Sequence, residues 1–388
     1  MHMKTVASEE QLNNLLHRGV EEGIVKEHLL EALKSGKQLR VKLGVDPTSP
    51  DLHLGHTVVL NKLRQFQELG HQIVLIIGDY TARVGDPSGK SKTRPMLTEA
   101  EIAANAKTYL AQIGKILDVS KIEIRHNSEW FSDGSWILPI TSQFSAQRIL
   151  ERDDFTKRMR AGTEVALHEL LYPAMQAYDS VKINADIEIG GTDQKFNLLA
   201  GRDLQRHMGL PEQDVLTVPI LRGLDGVHKM SKSLDNYIGI DEPANTMFGK
   251  VMSIPDSLID EYFALCTNAA RESEDPREAK LHLGTIIVDT YHGQGSGKAA
   301  REEFERVFTR KEPPTEVKSE KLKVERIGIV DLLVQTKMAK SKSDAKRLIE
   351  QGGVKIDDVK QTDADAVIEL SSPRLVQVGP RKFVRVVA

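Results

Sequence analysis

Leu12, Leu15, Leu16, Val20 and Ile24 recur at helical spacing, so residues 8–36 are predicted to be largely helical. LRVKLGV (39–45) alternates apolar and polar positions and predicts a strand. GHTVVLNKLRQFQELG (55–70) returns to a helical period and closes on Gly70, a residue suited to the C′ position. QIVLIIGD (72–79) is a short continuous apolar run, the kind buried on both faces of a parallel sheet. Strand, helix and strand in close succession make a βαβ unit.

The alternation continues. Thr98 and Glu101 form a capping-box pattern that opens a helix to about Leu117. KIEIRHN (121–127) predicts another strand, and a mostly helical section spans about 130–182. Residues 184–209 run strand, glycine turn, helix, and VLTVPIL (215–221) is a further strand. This order predicts a doubly wound α/β domain with a parallel sheet. After Lys232 the pattern is mainly helical to about 310, and TRKEPPTEVKSEKLKVE (309–325) has linker composition. A small module follows, with two helical stretches and then VKIDD, AVIEL, RLVQVG and KFVRVV, an α+β pattern. The expected segments are therefore 1–225, with an inserted connective region at about 127–182, then a helical 226–315 and a compact 326–388.

Composition narrows the class. The chain has 388 residues, 40% of them hydrophobic and 28% charged, which fits a globular protein of two or three domains. No uncharged apolar stretch approaches ~20 residues, so no membrane span or membrane partner is expected. MHMKTVASEEQ carries no apolar run of the secretory kind. Cys266 is the only cysteine, which removes an internal disulfide and argues against a cysteine-based zinc site. A cytoplasmic protein is expected. Net charge is −3, but residues 323–388 hold 13 Lys and Arg against 9 Asp and Glu, a local balance of +4. That asymmetry allows a nucleic-acid contact at the C-terminal end only, and is a weak signal by itself.

The chemistry begins at the first strand-to-helix junction. DPTSPDLHLGHTVVL (46–60) puts His53 and His56 around Gly55 where the helix starts. Ligands of a doubly wound sheet bind beyond the carboxyl ends of its strands, and free N–H groups at a helix start favour phosphate. Gly55 leaves room for a nucleotide, the histidines supply directed donors, and Thr48 adds a hydroxyl on the same lip. Two ordinary histidines at a helix start remain an alternative; a metal centre lacks a third ligand at suitable spacing. HKMSKS (228–233) is a second polar segment, in which Lys229 and Lys232 flank Met230 and Ser231. Two flexible ammonium groups suit charge building on phosphates, although KMSK by itself also describes a solvated loop. GDPSGKSKTR (85–94) is not a Walker A loop, because only three residues separate Gly85 from Gly89. Tyr172, Gln176 and Asp179 fall on one helical face, a polar stripe unsuited to a core and suited to an aromatic ligand with a polar tip.

HLGH with KMSKS resembles the paired signatures of class I aminoacyl-tRNA synthetases, and the stripe at 172, 176 and 179 resembles that of the tyrosyl members. The resemblance covers essentially the whole chain. It implies a Rossmann-like catalytic domain, an α-helical domain and a small S4-like RNA-binding domain. It implies L-tyrosine, ATP with Mg²⁺, and tRNA(Tyr) as partners, without a protein metal cage, and a homodimer. By the same resemblance Asp179 reads the phenol hydroxyl, Tyr172 and Gln176 hold the amino group, and Asp46 lies near the adenylate and the amino group. Asp86 meets the ammonium, Gln194 the carboxylate region, and Asp193 the ATP ribose. Gly190 and Gly191 let backbone approach the nucleotide. Gly55, His56, Met230 and Lys232 line ATP, and Lys90 and Arg94 act as mobile cations on pyrophosphate. A site built around a hydroxyl rejects the analogue lacking it, a point for which tyrosyl enzymes are themselves the usual illustration. Many family members carry tyrosine where this chain has Lys42, and Asp79 has no counterpart role in the pattern. In the tail, Lys337, Lys340, Lys342, Lys346 and Arg347 are expected to grip phosphates, with Ser343 as the N-cap of their helix. A tryptophanyl enzyme, a small-molecule nucleotidylyltransferase and a non-enzymatic RNA-binding protein remain as alternatives.

Overall fold

The structure, a computed structural model, describes residues 7–88, 97–313, 315, 317, 319–379 and 382–388. It divides into two compact units, Met1–Gly293 and Gln294–Ala388.

The first unit is built on a six-stranded sheet. Its strands are β1 (Glu22–Ile24), β2 (Arg40–Val45), β3 (Gln72–Ile77), β4 (Glu123–His126), β5 (Ile187–Gly191) and β6 (Asp214–Val218). They lie in the order β1-β6-β5-β2-β3-β4. All neighbours are parallel except β1, which pairs antiparallel with β6. Ile73 through Ile77 are completely buried, as a central parallel strand requires. Strand order runs outward from β2 through β3 to β4 on one side and from β5 to β6 on the other. The reversal between β2 and β5 is the topological switch point, where such folds open a crevice.

Helix Leu54–Glu68 follows β2 as the pattern predicts. Helix Glu99–Ile113 begins at the expected capping box: Thr98 Oγ1 accepts from the Glu101 N–H at 3.3 Å, and Glu101 Oε2 accepts from that of Thr98 at 2.9 Å. β6 ends at Val218 rather than continuing to 221, because Pro219 has no N–H to donate to a ladder. The section after β4 is a series of short helices leading to the long helix Leu167–Lys182, which packs against helix Lys195–His207. Between them and β3 lies a core that includes Val74, Ile76, Trp130, Phe131 and Met175. Helices Ala244–Met252, Ile259–Cys266 and Pro276–His292 complete this unit.

The second unit carries a five-stranded sheet of β7 (Ser319–Lys321), β9 (Val354–Ile356), β10 (Val359–Gln361), β12 (Arg374–Val378) and β13 (Lys382–Val387), in the order β10-β9-β12-β13-β7. A two-stranded ribbon joins β8 (Arg326–Gly328) to β11 (Val367–Glu369). Helices Ile329–Gln335 and Lys342–Glu350 bury Leu332, Leu333, Ala345 and Ile349 against Val354, Val376, Val384 and Val386. Two expectations change here. β7 lies in the stretch read as linker and pairs in parallel with β13. Its side chains are largely exposed, so an edge strand held by backbone bonds left no apolar signal. The N-cap of helix Lys342–Glu350 is Ser341, whose hydroxyl accepts from the Asp344 N–H at 3.2 Å, and not Ser343.

Candidate active site

At the carboxyl end of β2 the chain crosses the sheet edge and enters helix Leu54–Glu68 with extended His53 as N-cap. His56 Nδ1 accepts the His53 backbone N–H at 3.2 Å. That bond assigns the proton of a neutral His56 ring to Nε2, which is left to donate. The two rings lie 3.8 Å apart, centroid to centroid. Burial, then the neighbouring His56 and Lys232, push the His53 pKa down to about 2. Burial, then Lys232 and Lys229, push that of His56 down to about 4. Both rings are therefore neutral near pH 7, each a donor through one N–H. His53 Nδ1 is buried without a hydrogen-bond partner. Gly55 is demanded locally: a Cβ there would sit 3.0 Å from His53 Nδ1 and 3.5 Å from Met230 Cβ.

The second motif is held as a closed loop after β6. Met230 N–H donates to Leu221 O, and Gly223 N–H to His228 O. Asn236 ties the far side, accepting from Ser231 N–H at 2.8 Å and donating to Lys229 O at 3.1 Å. Lys229 Nζ rests 3.2 Å from Asp193 Oδ2, and Lys232 Nζ 3.4 Å from Asp51 Oδ2 and 3.1 Å from Ser49 Oγ. Both ammonium groups thus rest on side-chain oxygen acceptors of residues near the cavity.

At the other end, Tyr172, Gln176 and Asp179 line the same pocket from helix Leu167–Lys182. Tyr172 donates to Asp46 Oδ2 at 2.8 Å, and Thr81 donates to Asp46 Oδ1 at 2.8 Å. Burial, then Asp46 and Asp86, raise the Tyr172 phenol well above its ordinary range, so it stays a donor. Gln194 Nε2 donates to Asp86 at 2.7 Å, and Asn197 links Gln194 to Gln176 with bonds of 3.0 Å to each. Asp179 Oδ1 accepts from Trp130 Nε1 at 2.9 Å, while Asn127 Nδ2 stands 3.5 Å from Oδ2. Burial pushes the Asp179 carboxyl up to about 7, against the opposing pull of Lys42. Trp130, Asn127, Thr81 and Asn197 escaped the sequence reading, since each lies outside the motifs and is ordinary in its local pattern.

Asp79 acquires a role. It accepts from Ser128 N–H at 2.9 Å, from Ser128 Oγ at 2.8 Å and from His126 Nδ1 at 3.0 Å. It therefore satisfies the start of helix Ser128–Phe131, which carries Trp130. Lys42 is neither a pocket wall nor solvated: it is fully buried and paired with Glu188.

One cavity of about 660 Å³ at the switch point gathers these groups. Asp46, Thr48, His53, Gly55, His56, Asp86, Tyr172, Gln176, Asp179, Gly190, Gly191, Asp193, Gln194, Lys229, Met230 and Lys232 all line it. Lys90, Lys92 and Arg94 lie outside the described residues. Leu43, Val45, Ile76 and Ile189 add apolar lining to the cavity that Asp179 also lines. The cavity thus unites a helix start, two lysine ammonium groups, an apolar lining and the Asp179 carboxyl.

Residues 34–309 match the family model described as tRNA synthetases class I (W and Y). Residues 303–374 match the SYY-like C-terminal domain of tyrosine–tRNA ligases. Tyrosine–tRNA ligase of Thermotoga maritima is 48% identical over 392 residues, covering 97% of each chain. The chain belongs to the tyrosine–tRNA ligase family. The tyrosine–tRNA ligase of Aquifex aeolicus is 46% identical, with 98% of this chain and 99% of that one covered. Among solved structures, a C-terminally truncated mitochondrial tyrosyl-tRNA synthetase of Aspergillus nidulans aligns with TM-score 0.63 at 21% identity, over 77% of this chain and 93% of that one. A tyrosyl-tRNA synthetase of Archaeoglobus fulgidus, complexed with L-tyrosine, aligns with TM-score 0.59 at 23% identity, over 76% and 98%. These two show the class I synthetase fold alone. The family resemblance read from HLGH and KMSKS is borne out.

In the second unit Lys337, Lys340, Lys342, Lys346 and Arg347 are all exposed. Lys342 Nζ pairs with Asp331 at 2.8 Å, and Arg347 with Asp344 at 2.5 Å. No helix among the described residues is long and apolar enough to cross a membrane.

Proposed function

We propose that the protein joins L-tyrosine to ATP, releasing pyrophosphate, and then passes the tyrosyl group to the 3′-terminal adenosine of tRNA(Tyr). The observation that carries this reading is the shared cavity, whose lining joins apolar side chains and Asp179 to the histidine pair and both KMSKS lysines. Asp179 accepts the phenol proton. Tyr172 and Gln176, with Asp46 and Asp86, hold the ammonium, and Gln194 faces the carboxylate. The tyrosine carboxylate attacks the α-phosphorus in line, and no protein nucleophile is required. Gly55, Gly191, Asp193 and Met230 seat the nucleotide. The His56 Nε2–H and a His53 N–H donate to phosphoryl oxygens as charge grows there, and Lys229 and Lys232 follow the departing pyrophosphate. Thr48 contributes its hydroxyl at the same lip, and Lys90 and Arg94 belong to the same reading. Mg²⁺ enters with ATP; among the described residues no cluster of His, Cys, Asp and Glu is built to hold a metal.

The remaining segments fit this reading. The sheet region to about 225 activates tyrosine, the helical 226–315 serves the anticodon side, and the 326–388 module is an S4-like grip on tRNA. Lys340, Lys342, Lys346 and Arg347 provide its phosphate contacts. A cytoplasmic homodimer joined through the catalytic region completes the picture.

Pyrophosphate exchange across the twenty amino acids, followed by charging of tRNA(Tyr), tests it. Tyrosine should dominate exchange and the tRNA should be charged. Exchange driven by tryptophan, or exchange without any tRNA charging, would overturn the reading in favour of a tryptophanyl enzyme or a nucleotidylyltransferase. His56→Ala should slow exchange at least tenfold more than it weakens tyrosine binding. Equal losses in both would remove His56 from the transition state.

A further inference from the structure

Lys42 and Glu188 are charged residues in the middle of otherwise apolar strands, and they are register partners across β2 and β5. Their side chains are 0% and 1% exposed, and Lys42 Nζ lies 2.8 Å from Glu188 Oε1. Burying two charges costs several kcal/mol per ion, so a pair of this kind is weak evidence for stability and calls for another reason. The surrounding bonds indicate one. Lys42 Nζ also donates to Gln176 O at 2.8 Å and to Ser180 Oγ at 2.7 Å, filling its three donor positions. Glu188 accepts from Gln176 Nε2 at 3.1 Å, from Ser180 Oγ at 3.1 Å and from Gln213 Nε2. Gln176 is thereby held by both its backbone and its side chain, and Asn197 takes its remaining oxygen at 3.0 Å. Helix Leu167–Lys182 is clamped to the sheet at 176 and 180, the turns around Asp179.

We propose that the Lys42–Glu188 pair is a positioning device of the amino-acid slot, which fixes helix Leu167–Lys182 so that Asp179, rather than Glu188, accepts from a substrate hydroxyl. The alternative acceptor is occupied, since both Glu188 oxygens are filled by protein donors although Glu188 lines the cavity. The alternative donor is occupied as well, since Lys42 has no proton to spare. The pair also sets the field at Asp179, Lys42 favouring its ionised form and Glu188 opposing it. The other groups acting on Asp179 are Trp130 and Asn127, which donate to it, and Tyr172, whose phenol Asp46, Asp86 and Asp179 all act on.

This inference rests on tyrosine being the substrate, and the experiment separates the two. Tyrosine-dependent pyrophosphate exchange is measured against pH for the wild type, Lys42→Gln, Glu188→Gln and the double variant Lys42→Met with Glu188→Met. Absence of exchange in the wild type overturns the substrate reading. Given exchange, Lys42→Gln should move the acid limb of kcat/KM to higher pH and Glu188→Gln should move it to lower pH. The double variant removes both buried charges together, so it keeps the fold even where a single change does not. In it KM for tyrosine should rise at least tenfold while kcat falls less than threefold, and preference for tyrosine over phenylalanine should drop by a similar factor. Folded single variants whose limbs move together or stay put overturn the inference, as does a folded double variant with wild-type KM.

Discussion

Asp179 and the two histidines of HLGH divide the pH behaviour of the site between them. The buried Asp179 carboxyl is pushed up to about 7, so it is mostly protonated in the free protein below that pH. Losing its charge weakens the bond it accepts from a phenol, because bonds to ionised acceptors are the stronger kind. The kcat/KM for tyrosine should therefore fall toward one decade per pH unit below about 7. The histidines, pushed down to about 2 and about 4, stay neutral until the pH nears 4 and add no limb of their own near 7. Asp179→Asn should abolish the limb in whatever activity remains, whereas His56→Gln should slow exchange yet keep it. A limb that vanishes in His56→Gln would reassign it to the histidine. Much of this site was legible in the residues, because HLGH, KMSKS and the 172/176/179 stripe sit at turns or on one helical face where spacing reports geometry. Trp130, Asn127 and Thr81 were not, since they reach Asp46 or Asp179 only through the tertiary fold. Lys42 and Glu188 did carry a signal, opposite charges inside apolar strands, but their partnership depends on which strands are neighbours.

Short helices and their caps carry the precision of the slot. Helix Ser128–Phe131 has only four residues and cannot persist alone, and Asp79 supplies three of the bonds that fix its start and its approach. Asp79→Ala should cost about 1 kcal/mol of unfolding free energy, the usual worth of a lost cap. It should also raise KM for tyrosine severalfold, because Trp130 rides on this helix and donates to Asp179. Denaturant unfolding and exchange kinetics on the same variant test the link, and a stability loss with unchanged KM would break it. Ser341→Ala should cost a similar amount in the second unit, while Ser343→Ala should be near neutral. The doubly wound sheet followed from apolar runs and alternation, which are strong signals over whole elements. Strand ends were legible to within two or three residues, Pro219 ending β6 early. β7 stayed hidden because an exposed edge strand needs only backbone partners, and the cap assignment slipped by two residues because serines occupy both 341 and 343.

At the scale of the whole molecule, charge separates two tasks. Net charge is −3, while residues 323–388 carry 13 basic against 9 acidic side chains, so the rest of the chain is net negative. On the proposed reading, capture of tRNA draws on the second unit, where Lys340, Lys342, Lys346 and Arg347 are exposed. Each phosphate contact releases about 0.7–0.9 counterions, and this sets the slope of log affinity against log salt. Changing all four residues to Gln should lower that slope by about 3 and raise KM for tRNA steeply at physiological salt. Tyrosine-dependent exchange, which needs no RNA, should be unaffected, and the charging defect should shrink as salt is lowered only for proteins that retain some of the four charges. An unchanged slope in the fourfold variant would move the RNA contact off this helix, and a parallel loss of exchange would mean that the two units do not keep their tasks apart.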